Sequence, residues 1–431
     1  MTDKEQKDNR NGLLKSWRYR IFASTWLCYA GLYFCRKPFS IVKADLGDAL
    51  EWDASFLGLI GTVYLLTYAI GQFVAGLAGT ALGPRLILML GMSGSILANV
   101  VFGISDSAIT FAIFMGVLGF SQSTGWGCTV GTMATWFQKH ERGRVMGLWS
   151  TCYAIGGVGS VLLASKVLGA YGFRYSFFAG SLVMLAILVF FAFNHRNRPE
   201  DLGLSLPKDE EDLPDSPYVK GKLSLKDRIK RLGWDKNVIT TLMLVGIFYF
   251  FVKFIRYALW SWVPYLLTKN YELESDDAGY MSALFDLFGI VGVIAAGWIS
   301  DKLMKSRRTG VSLLFLFGMF ASCGLLYFFG QNSLLIFGIS ISLIGFFLFG
   351  PDALMTGAGA QDIGNARGAT LSAGIINGMG AFGAVAQELI IGRLYDDTGG
   401  DIGPIFMLLL GSAACAAICL SIVRFTKISD V

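Results

Sequence analysis

The sequence predicts an all-α membrane protein of twelve transmembrane helices arranged as two six-helix halves. Three observations carry that expectation. Only 16% of the 431 residues are charged and 54% are hydrophobic, whereas soluble domains are about a quarter charged. Apolar runs of about 20 residues, the length that spans a bilayer, recur along the whole chain. Only one long hydrophilic stretch interrupts them, and it divides the runs six and six. The 53 glycines fit this class, because small residues let helix backbones approach where lipid provides no hydrophobic drive.

In chain order, a polar and basic arm covers residues 1–20. It carries no cleavable signal, since the apolar run after it is too long and lacks a small-residue cleavage site. The first six spans are expected at 20–43, 55–78, 84–104, 108–137, 145–167 and 174–194, giving an N-terminal half over 21–194. A hydrophilic linker follows at 195–237, with Asp209-Glu210-Glu211-Asp212 ahead of a basic stretch from Lys220 to Lys236. Six more spans are expected at 238–268, 277–300, 309–329, 333–358, 368–393 and 403–424. They give a C-terminal half over 238–425, and 426–431 is a short tail.

Orientation follows from lysines and arginines, which accumulate in cytoplasmic loops. With the N-terminus in the cytoplasm, only five of the 36 lie in outside loops: Lys43, Lys166, Arg174, Lys269 and Arg393. Four more (Arg36, Lys37, Lys253, Arg256) lie in spans, and the rest fall in the arm, inner loops, linker and tail. Both termini are therefore expected in the cytoplasm. The net charge of +5 is an orientation signal, which removes nucleic acid as a partner and leaves the lipid bilayer. The seven cysteines show no CxxC or metal spacing and fit as small core residues of spans. His140 and His195 fall in loops, so neither a histidine metal site nor an intramembrane histidine relay is expected. No GxxxxGK[ST] phosphate loop is present, and no nucleophile stands beside a base. Neither nucleotide-driven transport nor enzymatic catalysis is expected, and no cofactor.

The first span contains Leu32-Tyr33-Phe34-Cys35-Arg36-Lys37-Pro38-Phe39. A cation in a bilayer-spanning helix costs roughly 2.5–3.5 kcal/mol on insertion scales, so it snorkels, pairs with an acid or lines a polar cavity. The seventh span repeats the feature in Tyr249-Phe250-Phe251-Val252-Lys253-Phe254-Ile255-Arg256-Tyr257. One arginine at the start of each half suggests a site for an anion. A guanidinium is permanently charged, and its planar fork matches two phosphate oxygens. Neutralisation of a buried acid, or snorkelling, is the alternative for each arginine.

The two halves echo one another in their loops. Gly76-Leu77-Ala78-Gly79-Thr80-Ala81-Leu82-Gly83-Pro84-Arg85 and Gly297-Trp298-Ile299-Ser300-Asp301-Lys302 match the G-x-x-x-D-[RK] loop of the major facilitator superfamily, with Thr80 replacing the first acid. Four further segments resemble the organophosphate:phosphate antiporters, the family of glycerol-3-phosphate, hexose-phosphate and phosphoglycerate transporters. Tyr29-Ala30-Gly31-Leu32-Tyr33-Phe34-Cys35-Arg36-Lys37 resembles its first helix. Gly125-Trp126-Gly127, continuing to Trp136-Phe137-Gln138-Lys139-His140-Glu141-Arg142-Gly143, is similar to its fourth helix and following loop. Trp149-Ser150-Thr151-Cys152-Tyr153-Ala154-Ile155-Gly156-Gly157 is similar to its fifth. Phe349-Gly350-Pro351-Asp352-Ala353-Leu354 resembles the tenth helix of the hexose-phosphate sensors and sugar-phosphate exchangers.

The resemblance covers nearly the whole chain. It implies the major facilitator fold, with substrate bound near the midplane between the halves, in a monomer of the bacterial inner membrane. Residue by residue, it makes Arg36 and Arg256 phosphate ligands, and Lys37 with Asp286 a gating ion pair between the halves. Tyr29, Tyr33, Tyr68 and Trp149 would line the cavity. Asn377 and Asp352 are candidates for substrate hydroxyls, although Pro351 also marks a helix break. Glu388 is expected to reach the interface or a neighbour such as Arg393. The chain departs from the family pattern at Gln72, where better-known members carry lysine, and at Tyr153, where histidine is frequent. It also has Lys253 at a position often aromatic. Lys253 shares a helical face with Arg256, so it either joins the site as a third phosphate ligand or points to the interface. The implied function is secondary transport, exchanging a phosphorylated metabolite (sugar phosphate, glycerol phosphate or phosphoglycerate class) for inorganic phosphate by rocking of the halves. The alternative is a membrane sensor of external hexose phosphate that signals to a partner kinase.

Overall fold

The computed structural model describes residues 3–137, 145–146, 148–204, 236–302, 308–355 and 360–424. Every regular element among them is helical. Among the described residues eleven helical stretches are long and apolar enough to cross a membrane. They match all the expected spans but the first, which lies in α1 (Asp3–Arg36) and the short α2 (Pro38–Ile41). The helices after α2 are α3 (Lys43–Leu50), α4 (Ala54–Leu82), α5 (Pro84–Ile104), α6 (Ala108–Gln122), α7 (Thr124–Trp136), α8 (Thr151–Tyr171) and α9 (Phe173–Asn194). Beyond the linker come α10 (Lys236–Tyr271), α11 (Ser275–Lys302), α12 (Arg308–Phe329), α13 (Leu334–Leu354), α14 (Ala360–Asp397) and α15 (Gly403–Arg424). Most of the linker, and the loop motif after Phe137, lie outside the described residues.

The chain groups into two compact units. The first comprises Met1–Leu50, Val63–Leu213 and Glu274–Gly279, and the second Glu51–Thr62, Pro214–Leu273 and Tyr280–Val431. Each contains one of the two arginines.

In the first unit α1 packs against α8 and α9. Small residues make this approach possible. A Cβ at Gly156 of α8 would stand 2.6 Å from the Ala30 carbonyl oxygen, and one at Gly180 of α9 would collide with the Phe34 carbonyl. Phe102, Phe111 and Phe177 pack together near the ends of α5, α6 and α9, with ring centroids 4.8 Å apart for the first pair and 5.4 Å for Phe102 and Phe177. Ser107 caps α6 by accepting from the Thr110 amide. Beyond α9, His195 stacks on Phe191 at 4.2 Å. Burial, with Arg85 and Arg196 nearby, pushes its pKa down to about 3, so the imidazole is neutral at ordinary pH.

In the second unit α10 packs on α14 and α15, and α12 packs on α13. A Cβ at Gly383 of α14 would collide with the Phe250 carbonyl of α10, so these two backbones also touch. Ser333 caps α13 by accepting from the Ile336 amide. Pro351 lies inside α13, which runs on only to Leu354. A proline deprives that last turn of a hydrogen bond and prepares the helix end.

Candidate functional site

Arg36 occupies the last turn of α1, where a cation complements the helix's C-terminal carbonyls. The chain then bends through Lys37 into α2, whose first position is Pro38, a place where the missing N–H costs nothing. The Lys37 amide still reaches the Tyr33 carbonyl at 2.9 Å, and the Ser40 hydroxyl donates to the Lys37 carbonyl at 2.8 Å. The guanidinium is held from the side. Its Nη2 donates to Gln122 Oε1 at 3.2 Å, and its carbon lies 5.0 Å from the Tyr33 ring and 5.2 Å from the Tyr68 ring.

Gln122 is oriented for that role. Its amide nitrogen donates to the Leu32 carbonyl at 3.0 Å and to Ser95 Oγ at 3.1 Å, which turns its oxygen to the arginine. It sits at the end of α6, where a single expected span is broken into α6 and α7 at Ser123. The Ser123 and Thr124 hydroxyls bond back to the Phe120 and Ser121 carbonyls at 2.6 and 2.8 Å, a pattern that bends helices. Among the described residues Arg36 has no carboxylate partner, and its buried Nε has no hydrogen-bond partner. A charged fork steadied by a neutral dipole, with a donor left open, is suited to an incoming anion.

Aromatic rings back this arrangement. Tyr29 packs on Tyr33, Trp126 and Trp149, with centroids 6.1, 5.5 and 5.6 Å away. Trp149 is fully buried and donates to Thr25 Oγ1 at 3.1 Å. Tyr68 stacks on Tyr64 at 6.1 Å. Tyr33 and Tyr68 thus touch the guanidinium, while Tyr29 and Trp149 are buried behind Tyr33.

The second unit treats its arginine differently. Arg256, within α10, is ion-paired through Nη1 with Asp352 Oδ2, and its carbon lies 4.3 Å from the centre of the Phe349 ring. Asp352 is 6% exposed, in the last turn of α13 just after Pro351, and Tyr249 is a second hydrogen-bond partner of the same carboxylate. Asp352, a candidate for substrate hydroxyls on sequence grounds, is therefore committed to Arg256 here. Lys253 is half-buried between two aromatic faces, its Nζ 5.3 Å from the Tyr249 ring and 5.0 Å from that of Tyr257. Room for its stem comes from Gly380 of α14, where a Cβ would lie 3.0 Å from Lys253 Cγ.

The remaining candidates are more scattered. Asn377 is exposed on α14, Gln72 is exposed on α4, and Asp286 is half-buried on α11. Lys37 is 3% exposed. Glu388 takes the second of its expected positions: it is 4% exposed, and the neighbour it meets is Ser261, whose hydroxyl donates to it. It packs on Gly61, where a Cβ would come within 2.8 Å of the carboxylate carbon. Arg393 pairs with Asp397 instead, at 3.5 Å. Sequence reasoning missed Gln122 and the Arg256–Asp352 pair. The available signals were a glutamine inside an apolar run, and two opposite charges in spans of one half.

Comparison with known proteins bears on the family and the fold. The profile described as Major Facilitator Superfamily matches residues 25–373. The "Probable hexose phosphate transport protein" of Chlamydia muridarum (strain MoPn / Nigg) is 30% identical over 420 residues, covering 94% of this chain and 90% of that protein. "Sugar phosphate exchanger 3" of Homo sapiens is 28% identical over 462 residues, covering 94% and 92%. Among solved structures, a bacterial homolog of the human lysosomal transporter Spinster, inward-facing and unoccupied, superposes with a TM-score of 0.73 at 14% identity, over 96% of each chain. A D-xylose-proton symporter does so with a TM-score of 0.68 at 13% identity, over 93% of this chain and 97% of that one. At these identities the structural likeness concerns the fold alone.

Proposed function

The chain belongs to the Major Facilitator Superfamily and, within it, to the organophosphate:phosphate antiporter family, and from that premise we propose that it exchanges a phosphorylated metabolite for inorganic phosphate. The substrate class is sugar phosphate, glycerol phosphate or phosphoglycerate, and relatives named for hexose phosphate and sugar phosphate favour the first. The observation that carries the proposal is Arg36: a guanidinium in a spanning helix, held by Gln122 and two tyrosines, with a buried donor still open. Arg256 is the corresponding ligand from the second unit. An anion that neutralises both would let the units rock between two access states, and a site left charged would hinder that movement. The reading extends to a monomer in a bacterial inner membrane, with both termini cytoplasmic. Reconstituted protein loaded with unlabelled phosphate should accumulate labelled phosphate by counterflow, and a panel of sugar and triose phosphates should compete. Phosphate binding without any counterflow would reject transport in favour of sensing.

Lys37 and Asp286 are proposed as the gating ion pair. A charge left without its partner in a spanning segment is costly. Asp286→Asn should therefore shift the balance of access states more than it changes phosphate affinity. Adding Lys37→Gln should recover part of the lost transport and thermal stability, as coupled neighbours do. Strictly additive defects would show that the two side chains never meet.

A further inference from the structure

We propose that Trp126 is the platform for the organic half of the substrate: a phosphorylated sugar, anchored by its phosphate at Arg36, lays its ring against this indole. The proposal rests on the phosphate reading of Arg36 given above and assigns selectivity for the carbon skeleton to a residue outside that reading.

Trp126 lies beside the stripe of α1 that carries the arginine. Tyr29, Tyr33 and Arg36 follow one another at spacings of four and three residues, so they share one helical face. Trp126 touches the first of them, with ring centroids 5.5 Å apart, and packs on Trp149 at 5.9 Å. Gly125 allows the approach, because a Cβ there would come within 2.4 Å of Leu32 Cδ1 and 3.3 Å of the Tyr29 ring. Tyr29 stands about 10 Å along the helix from Arg36, at 1.5 Å per residue. A hexose phosphate is of comparable length, whereas inorganic phosphate held at Arg36 does not extend that far.

Two features of Trp126 set it apart from the rings it packs on. The first is exposure. Tyr29 is 7% exposed and Trp149 is fully buried, but Trp126 is 43% exposed. The space beside it is open, since a Cβ at Gly127 would meet nothing within 4 Å. The second is its ring nitrogen. Trp26, Trp136 and Trp149 donate their indole N–H to the Thr151 hydroxyl, the Arg196 carbonyl and the Thr25 hydroxyl. That of Trp126 has no acceptor among the described residues. An exposed indole thus offers an electron-rich face and one unused donor. A sugar presents C–H groups on the faces of its ring and hydroxyls at the edge, so it can use both together. Inorganic phosphate has no carbon face to place there.

The test uses the full chain in liposomes loaded with labelled inorganic phosphate, with external inorganic phosphate or glucose 6-phosphate as counter-substrate. Trp126→Leu should raise the half-saturation for glucose 6-phosphate about tenfold and leave that for inorganic phosphate within about a factor of two. Trp126→Phe keeps a ring face and should raise the first value less than about threefold. Equal changes for the two substrates in Trp126→Leu, including no change in either, would overturn the proposal. A parent that exchanges phosphate but not glucose 6-phosphate would overturn it too. A second measurement needs no variant to fold. In the purified parent, saturating glucose 6-phosphate should slow N-bromosuccinimide oxidation of Trp126, read by mass spectrometry, at least about threefold more than saturating inorganic phosphate does. Equal protection by the two would reject the platform. If the parent exchanges neither substrate, the transport reading fails, and the oxidation result alone then supports the platform or rejects it.

Discussion

Arg36→Lys should raise the half-saturation for inorganic phosphate about 100-fold and Arg256→Lys about tenfold, although both variants keep the charge. A charge-assisted hydrogen bond is worth roughly 1.5–3 kcal/mol, and each 1.4 kcal/mol is tenfold in affinity. Replacing a planar fork with an ammonium forfeits at least one such bond to a bidentate anion. At Arg36 the loss is greater. The lysine cannot both reach Gln122, now 3.2 Å from Nη2, and keep a flat cation beside the Tyr33 and Tyr68 rings. At Arg256 one nitrogen is already engaged by Asp352, and a lysine can still make that pair. Counterflow of labelled phosphate in proteoliposomes reads both values. If both variants stayed within a factor of two of the parent, the phosphate site would lie elsewhere.

How far the sequence foretells this molecule depends on the distance over which its signals act. Spans announce themselves locally, as about 20 apolar residues must be continuous to cross a bilayer. An arginine inside such a run is equally conspicuous, so Arg36 and Arg256 stand out before any fold is known. Their partners do not. Asp352 lies 96 residues from Arg256 and Gln122 lies 86 from Arg36. A polar residue inside an apolar run is visible in the sequence, but nothing there pairs it with a particular arginine at that range. The break at Ser123 is hidden for a different reason. It uses hydroxyls bonding back to carbonyls of the same helix, in a Ser123-Thr124-Gly125 stretch inside an apolar run long enough to read as one span. Glu388 is open to two readings because its burial depends on what faces it. Gly58 and Gly61 leave space beside α14, and a carboxylate expected at the interface or against a neighbour such as Arg393 finds its neighbour in Ser261. The resemblance to a transporter family supplies the roles proposed for the arginines. The departures from it, at Gln72 and Lys253, are legible as changes, and their effect depends on geometry.

Lys253→Gln should weaken binding of inorganic phosphate and of organophosphates alike, by about tenfold, the value of one charge-assisted bond of roughly 1.5 kcal/mol. The hypothesis is that Lys253 is the third phosphate ligand, replacing the second-helix lysine of better-known relatives, where this chain has Gln72. Lys253 lies one helical turn before Arg256, a spacing that puts both on one face. Its ammonium lies over two tyrosine rings, Tyr249 and Tyr257, at 5.3 and 5.0 Å. Cation–π contacts of this kind are worth about 0.5–2 kcal/mol, enough to park the charge but less than a phosphate dianion offers. One of those rings belongs to the tyrosine that bonds Asp352, so lysine, arginine and acid share one neighbourhood. Two nearby cations repel one another, and an anion between them is attracted by both, a dianion most strongly. Binding should therefore be strongest where phosphate is doubly charged, at neutral pH and above. Adding Gln72→Lys to Lys253→Gln should restore part of the affinity by returning a cation to the second span. Lys253→Arg should stay closer to the parent than Lys253→Gln does. An unchanged half-saturation for inorganic phosphate in Lys253→Gln would mean that the lysine serves only to pack on its two tyrosines.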